Sequence, residues 1–227
     1  MQELVVDKSF IDASGVAAVS ELCERYQVLM IEELFFELIT TSDEKRQRAF
    51  RKLPDVPSPV SLIPNIGTLL RYEKEIGKPC APLRQHRIEE AFKFNSRLRD
   101  GTFVFQGAYA DELANSRLEV ESSVRGFIER CFVVCGFFPE LSPDEIDVRW
   151  ACFRWVQVQL IAALRIFVRY QGKMPTTTSP KFWVDAEHTM LDSYYVLFGP
   201  LCGALASRDG EIREDFSLLR PDGLLLG

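Results

Sequence analysis

Two aspartates near the C-terminal end of the chain, Asp192 and Asp209, could bind a metal together because they follow one another on consecutive predicted elements. Asp192 falls in a stretch after Pro180 whose apolar residues recur with the period of an α-helix. That period breaks near Gly199, and residues 201–206 are short, small and apolar, which is typical of a buried parallel strand. We therefore predict a helix that carries Asp192 and a following strand that ends just before Asp209.

Two further acids, Asp7 and Glu37, lie near the N-terminus in a second α/β pattern. The predicted elements are, in order, a strand at residues 3–7, a helix from Ser9 or Asp12 to Arg25, a strand at residues 28–31 and a helix at residues 32–41. A β-α-β-α opening implies a parallel sheet with right-handed crossovers. Functional groups of such sheets gather at the carboxyl ends of the strands, and Asp7 lies at such an end.

The four acids together suit phosphodiester hydrolysis, which hard divalent cations assist. Clustered carboxylates hold Mg²⁺ or Mn²⁺ through oxygen ligands, and the bound cation activates water and neutralises charge on the scissile phosphate. The sequence therefore predicts that one set of residues both binds the metal and carries the catalysis: Asp7, Glu37, Asp192 and Asp209.

Four neighbouring residues are candidate accessory groups. Asp185 and His188 share one helical face with Asp192, so Asp185 is a candidate further acid at the rim of the site. His188 is either a structural hydrogen-bond donor or a partner for a carboxylate or phosphate. Lys8 and Arg208 adjoin the predicted ligands, and each either points to the opposite side of its strand or steers a phosphate.

The middle of the chain is predicted to be helical. The predicted segments are a charged helix at residues 43–52, a proline-rich extended loop at 54–64, helices near 66–76, 85–99, 108–135 and 144–171, a loop at 172–180 and a last strand within 216–226. The charged helix is either a solvated face or a source of cations for phosphates. We therefore expect a single domain over residues 1–227, in which an α/β core from 1–42 and 181–227 flanks a helical insertion of about 43–180.

Composition favours a soluble protein of the cytoplasm. The net charge of −6 argues weakly against nonspecific binding to nucleic acid, although a carboxylate cluster would itself contribute to that charge. Residues 150–170 are apolar, but Arg154, Arg165 and Arg169 interrupt them, which favours a buried helix over a membrane span. The six cysteines, which include the pair Cys131 and Cys135, are interpreted as reduced core residues rather than a zinc site.

Four segments resemble the motif series of PIN-domain nucleases: VVDKSFI at residues 5–11, VLMIEELFFEL at 28–38, LDSYY at 191–195 and LASRD at 205–209. In that family the first strand ends in an Asp, a Glu lies in the helix after the second strand, a later helix carries an Asp, and the next strand ends in (Thr/Ser)-x-Asp. These positions match Asp7, Glu37, Asp192 and Asp209. The resemblance covers about residues 1–42 and 181–215, and the middle of this chain is longer than in compact members.

The resemblance implies a PIN-like three-layer α/β fold with a central parallel sheet, a large helical insertion and a metal-dependent nuclease activity, endo or exo. RNA is the expected substrate in preference to DNA, with single-stranded DNA as the other nucleic-acid partner. An alternative is a catalytically silent PIN-like binding or scaffold protein that acts through its helical insertion, with a protein partner or a second copy. A third is a phosphoesterase acting on a small substrate. The presence of all four matched acids favours the nuclease over these two alternatives. No membrane partner is expected.

Overall fold

The computed structural model describes residues 1–56, 58–88, 147–171 and 179–227. The elements are β1 (Glu3–Val6), α1 (Lys8–Ala13), α2 (Val16–Arg25), β2 (Gln27–Ile31), α3 (Glu32–Thr40), α4 (Asp43–Lys52), β3 (Ser61–Ile63), α5 (Ile66–Ile76), a 3₁₀ turn (Leu83–His86), α6 (Ala151–Arg169), α7 (Pro180–Cys202), β4 (Ala204–Ala206), α8 (Gly210–Leu219) and β5 (Leu224–Leu226).

The five strands form one parallel sheet in the order β3-β2-β1-β4-β5. The α/β class with a central parallel sheet is thereby confirmed. All residues of β1 and β4 are buried, which explains why these strands, apart from Glu3, are apolar without alternation. The chain builds outward from β1 to β2 and β3, then returns to the other side of β1 with β4. The strand order therefore reverses between β1 and β4.

The N-terminal strands and α3 lie where the sequence predicts them, within one residue at most ends. The predicted helix up to Arg25 is instead two helices, α1 and α2, because Ser14 and Gly15 both have extended backbone conformations. Glycine lowers helix stability, and serine competes for backbone hydrogen bonds, so this pair interrupts the helix.

A strand lies within the stretch that we predicted to be a loop. β3 pairs with β2 through Leu29 with Ser61 and Ile31 with Ile63. The four residues between Pro59 and Pro64, one of them a serine, give too short an apolar run for a pattern to identify. The sheet thus extends into the predicted insertion, and the division of the chain into one domain with an insertion stays a prediction.

The predicted helix break at Gly199 is wrong. α7 continues through Pro200 to Cys202 and ends at Gly203, whose φ of 76° suits a glycine at the end of a helix. Pro200 removes one helical hydrogen bond, but α7 is buried from Tyr195 to Leu201, and this packing holds the helix. A Cβ atom on Gly199 would lie 3.1 Å from the Phe216 ring, so glycine allows α7 to approach α8 closely.

The charged run of α4 is only partly a solvated face. Arg46 is buried and donates to Asp43 Oδ1 at 2.7 Å. Lys52 is also buried, and its Nζ donates to the carbonyls of Ile11 at 2.6 Å and Asp12 at 2.9 Å, near the end of α1. These two cations therefore hold the fold together and are not presented to a phosphate.

α6 occupies most of the predicted helix at residues 144–171, and α5 matches its prediction at residues 66–76. Among the described residues, α6 is also the one helix long and apolar enough to cross a membrane, a test that the core helix of a soluble protein passes as well. The expectation of no membrane partner stays a prediction. The predicted segments at 85–99 and 108–135, with Cys131 and Cys135, lie largely or wholly outside the described residues.

A buried carboxylate joins α5 to α6. Glu73 has no exposed surface, and it accepts hydrogen bonds from Ala151 N at 2.6 Å, Cys152 N at 2.9 Å and Cys80 N at 3.0 Å. Ala151 and Cys152 are the first two residues of α6, whose N–H groups have no partner within the helix. Negative charge at this end of a helix is also favourable because of the helix dipole.

Glu73→Ala should lower the free energy of unfolding by about 2–4 kcal/mol, because three buried N–H groups lose their acceptor. For a chain of this size the melting temperature should fall by roughly 5–15 °C in calorimetry. Glu75→Ala is the matched control in α5, since Glu75 is exposed. Equal stability of the two variants would contradict this role of Glu73.

Candidate metal centre

Asp7 and Asp209 are brought together by the pairing of β1 with β4. Each aspartate follows its strand, and Asp7 N donates to Ala206 O at 2.9 Å. Both therefore lie at the carboxyl end of the sheet, at the point where the strand order reverses. In open α/β sheets that position is where ligands bind.

Two serine hydroxyls connect the loops that carry these aspartates. Ser207, which is fully buried, donates to Asp7 Oδ2 at 2.7 Å, and Ser9 donates to the same oxygen. Ser9 Oγ also accepts from the backbone N–H groups of Arg208 at 3.0 Å and Asp209 at 3.2 Å. Asp209 in turn caps α8, since its Oδ1 accepts from Ile212 N at 3.0 Å. The network fixes both loops relative to each other.

The other two predicted ligands are brought to the same end of the sheet by α7 and α3. Asp192 is half-buried on α7 and lies close enough to the other three acids for their charges to act on it. Glu37 is half-buried on α3, which begins directly after β2, and it interacts electrostatically with Asp7. The hydroxyl of Tyr195 on α7 donates to Glu37 Oε2. The structure thus brings all four predicted acids into one neighbourhood.

Burial and mutual repulsion raise the pKa values of three of these carboxyl groups. Burial raises the pKa of Asp192 to about 8, and the charges of Asp209, Asp7 and Glu37 add to the increase. Burial raises the pKa of Glu37 to about 7, against the hydrogen bond from Tyr195. Burial also raises the pKa of Asp7, although the bonds from Ser9 and Ser207 lower it.

The chemistry of this donor set fits a hard divalent cation. All four groups offer oxygen, and among the described residues none of them takes part in an ion pair. Their oxygens do not converge on one point, however: the described residues contain no group of three or more His, Cys, Asp or Glu placed to hold a metal ion. Mg²⁺ commonly keeps several waters and takes only one or two carboxylates, so it requires no more than two of these acids as direct ligands.

The accessory candidates have different surroundings. Lys8 is the first residue of α1 rather than part of β1, and its Nζ contacts Asp12 Oδ2 at 2.6 Å. Asp185 Oδ2 accepts from the hydroxyl of Tyr170 at 2.7 Å. His188 and Arg208 are exposed. The role of Asp185 as a rim acid stays a prediction. So do the roles of Lys8 and Arg208 toward a phosphate and of His188 toward a carboxylate or phosphate.

Three polar residues of the site were not among the predicted ligands or accessory groups. Ser9 and Tyr195 bind the predicted ligands directly. Burial raises the pKa of Glu33 to about 8, and its Oε2 is buried without a hydrogen-bond partner in the described part of the chain. Glu33 is four residues from Glu37, and Tyr195 is three residues from Asp192. These helical spacings are the signal from which Glu33 and Tyr195 could have been predicted to lie beside the site.

A narrow cleft between α6, α7 and α8 adjoins Asp192. Arg165 and Glu211 line it together with Asp192, and Glu211 adds to the charge that acts on Asp192. Arg165 makes a two-point contact with Asp215, at 2.6 and 2.8 Å, and Arg169 Nη2 contacts Glu211 at 3.1 Å. These arginines neutralise acids of α8, so they bind α6 to α8.

We compared the chain with protein-family models, with curated proteins and with solved structures, and none of them matches it.

Asp192→Asn should stabilise the metal-free protein, by on the order of 1–3 kcal/mol at pH 8.5. The folded-state pKa of Asp192 is about 8, above its ordinary 3.8, so ionisation opposes folding more and more as the pH rises between these values. The asparagine variant avoids this penalty, so the gain should be small at pH 5 and largest above pH 8.

Urea unfolding in EDTA at pH 5 and pH 8.5 measures this difference. Asp222→Asn is the matched control, because Asp222 is exposed and pairs with Arg220 at the surface. A gain that is the same at both pH values would count against charge repulsion as its cause.

Proposed function

We propose that this protein is a metal-dependent nuclease with a PIN-like fold, which hydrolyses phosphodiester bonds in RNA in preference to DNA. The observation that supports the proposal most is the meeting of Asp7, Glu37, Asp192 and Asp209 at the carboxyl end of a parallel sheet, at its reversal of strand order. These acids come from four separate segments. Surface acids scattered by chance would not share one half-buried neighbourhood.

The raised pKa values of three of these acids supply a second argument. Clustering carboxyl groups in a partly buried place opposes folding, so the arrangement is costly to a protein that makes no use of it. A divalent cation, Mg²⁺ or Mn²⁺, would activate water and offset negative charge on the scissile phosphate when bound. Its protein ligands would come from Asp7, Glu37, Asp192 and Asp209.

The chain's own residues have distinct parts in this proposal. Ser9 and Ser207 hold the Asp7 carboxylate and the Asp209 loop in fixed relation. Arg208 is exposed next to Asp209, where its cation would attract a phosphate to an otherwise acidic surface. The preference for RNA rests on the resemblance of the motifs to PIN-domain nucleases, and the cytoplasmic location stays a prediction.

A binding role is the alternative that one observation favours. On α6 the apolar residues Leu160, Leu164, Phe167 and Val168 are 44–72% exposed, and their spacing places them on one helical face. Such a face suits contact with a protein partner or a second copy. A protein that binds a partner through this face could also be a nuclease. If binding were its sole function, we would expect no metal-dependent cleavage.

Asp7→Asn and Asp209→Asn should each reduce Mn²⁺-dependent cleavage of single-stranded RNA by at least ~100-fold, since loss of a metal ligand removes several kcal/mol of transition-state stabilisation. Gel assays on labelled RNA, single-stranded DNA and a nucleotide, with Mn²⁺, Mg²⁺ or EDTA, measure the activity. Asp222→Asn should cleave as the wild type does.

Calorimetric titration with Mn²⁺ accompanies these assays. Wild-type protein that neither binds Mn²⁺ nor cleaves any substrate would overturn the nuclease proposal and favour the binding role. Cleavage of the nucleotide alone would indicate a small-molecule phosphoesterase instead.

A further inference from the structure

Tyr195 contacts one of the proposed metal ligands from a different helix. Its hydroxyl donates to Glu37 Oε2, and the residue is only 1% exposed. A buried tyrosine hydroxyl normally requires a hydrogen-bond partner, and here that partner is a carboxylate. Asp192 and Tyr195 are three residues apart on α7, so they are neighbours on one face of the helix. α7 thus provides one acid directly and contacts a second through Tyr195.

This hydrogen bond restricts the Glu37 side chain. Glutamate has three rotatable side-chain bonds, and the charges of Asp7 and Asp192 favour conformations that move its carboxylate away from them. Among the described hydrogen bonds, Tyr195 is the side-chain donor to Glu37. The nearby cation Lys8 contacts Asp12 instead, at 2.6 Å.

The bond also leaves capacity for another partner. A carboxylate has two oxygens with about four acceptor positions, and Tyr195 occupies one of them. Partners of this kind, which contact a ligand rather than the metal, orient ligating side chains and determine much of the metal affinity.

We propose that Tyr195 is a positioning residue of the metal centre, which holds the Glu37 carboxylate beside Asp7 and Asp192 and so strengthens binding of a divalent cation. The inference rests on the proposed function, because it takes Glu37 as a ligand. Tyr195 acts through Glu37 and contacts no substrate in this role.

Tyr195→Phe should weaken Mn²⁺ binding about 10- to 100-fold, which is the usual effect of losing such a partner. Titration followed by the electron paramagnetic resonance of free Mn²⁺ measures the dissociation constant on the full chain. Tyr170→Phe is the matched control, since the Tyr170 hydroxyl makes the same type of bond to Asp185 of α7, at 2.7 Å. Asp185 lies about 10 Å along the helix from Asp192, and this variant should bind Mn²⁺ as the wild type does.

A double-mutant cycle separates positioning from a general effect on folding. In a Glu37→Gln background, Tyr195→Phe should cause little further loss of affinity, because the carboxylate that Tyr195 orients is already absent. Thermal unfolding without metal compares the folded stability of all variants. For a less stable variant, the rise of its melting temperature with Mn²⁺ concentration reports the affinity instead.

The outcomes distinguish the two proposals. Absence of Mn²⁺ binding by the wild type would overturn the proposed function, and this inference with it. Wild-type binding that Tyr195→Phe leaves unchanged would overturn the inference alone. An equal loss of affinity in the wild-type and Glu37→Gln backgrounds would also overturn it, since the effect would then be independent of Glu37.

Discussion

The parallel pairing of β1 with β4 is the interaction on which the rest of the architecture depends. Val5 pairs with Leu205 and Val6 with Ala206, and all four residues are almost completely buried. The contact joins the two ends of the chain at the centre of the sheet, so every segment between them has to leave from and return to this place. Because the strands are parallel and in register, the residues that follow them emerge side by side. The proximity of Asp7 and Asp209 is a direct consequence.

Charge repulsion opposes this arrangement, and fixed donors partly offset it. Three of the four acids accept hydrogen bonds: Asp7 from Ser9 and Ser207, Glu37 from Tyr195, and Asp209 from a backbone N–H at the start of α8. Neutral donors stabilise a carboxylate without removing its charge, so a net negative field remains at the carboxyl end of the sheet. A protein that keeps such a field gives up stability there, which is common at functional sites.

The sequence predicts the parts of this structure that depend on local patterns. The apolar runs before Asp7 and Asp209 identify two central strands, and the periodicity around Glu37 identifies a helix. β3 is different, because a three-residue edge strand between prolines is defined by its pairing with β2 and not by its own composition. The continuation of α7 through Pro200 depends on tertiary packing in the same way. Ser9 accepts bonds from the N–H groups of Arg208 and Asp209, and Tyr195 donates one to Glu37. These bonds join segments far apart in the chain, which residue spacing alone does not reveal.

The short strands at the two borders of the described sheet bear on how copies of the protein behave at high concentration. β3 and β5 have three residues each, and the backbone N–H of Ile88 already donates to Leu62 O of β3 at 3.0 Å. An incoming strand from another molecule would find few unpaired backbone groups at either border. Short border strands discourage the growth of intermolecular sheets through strand addition, and here they leave little backbone open beside a core rich in aliphatic residues.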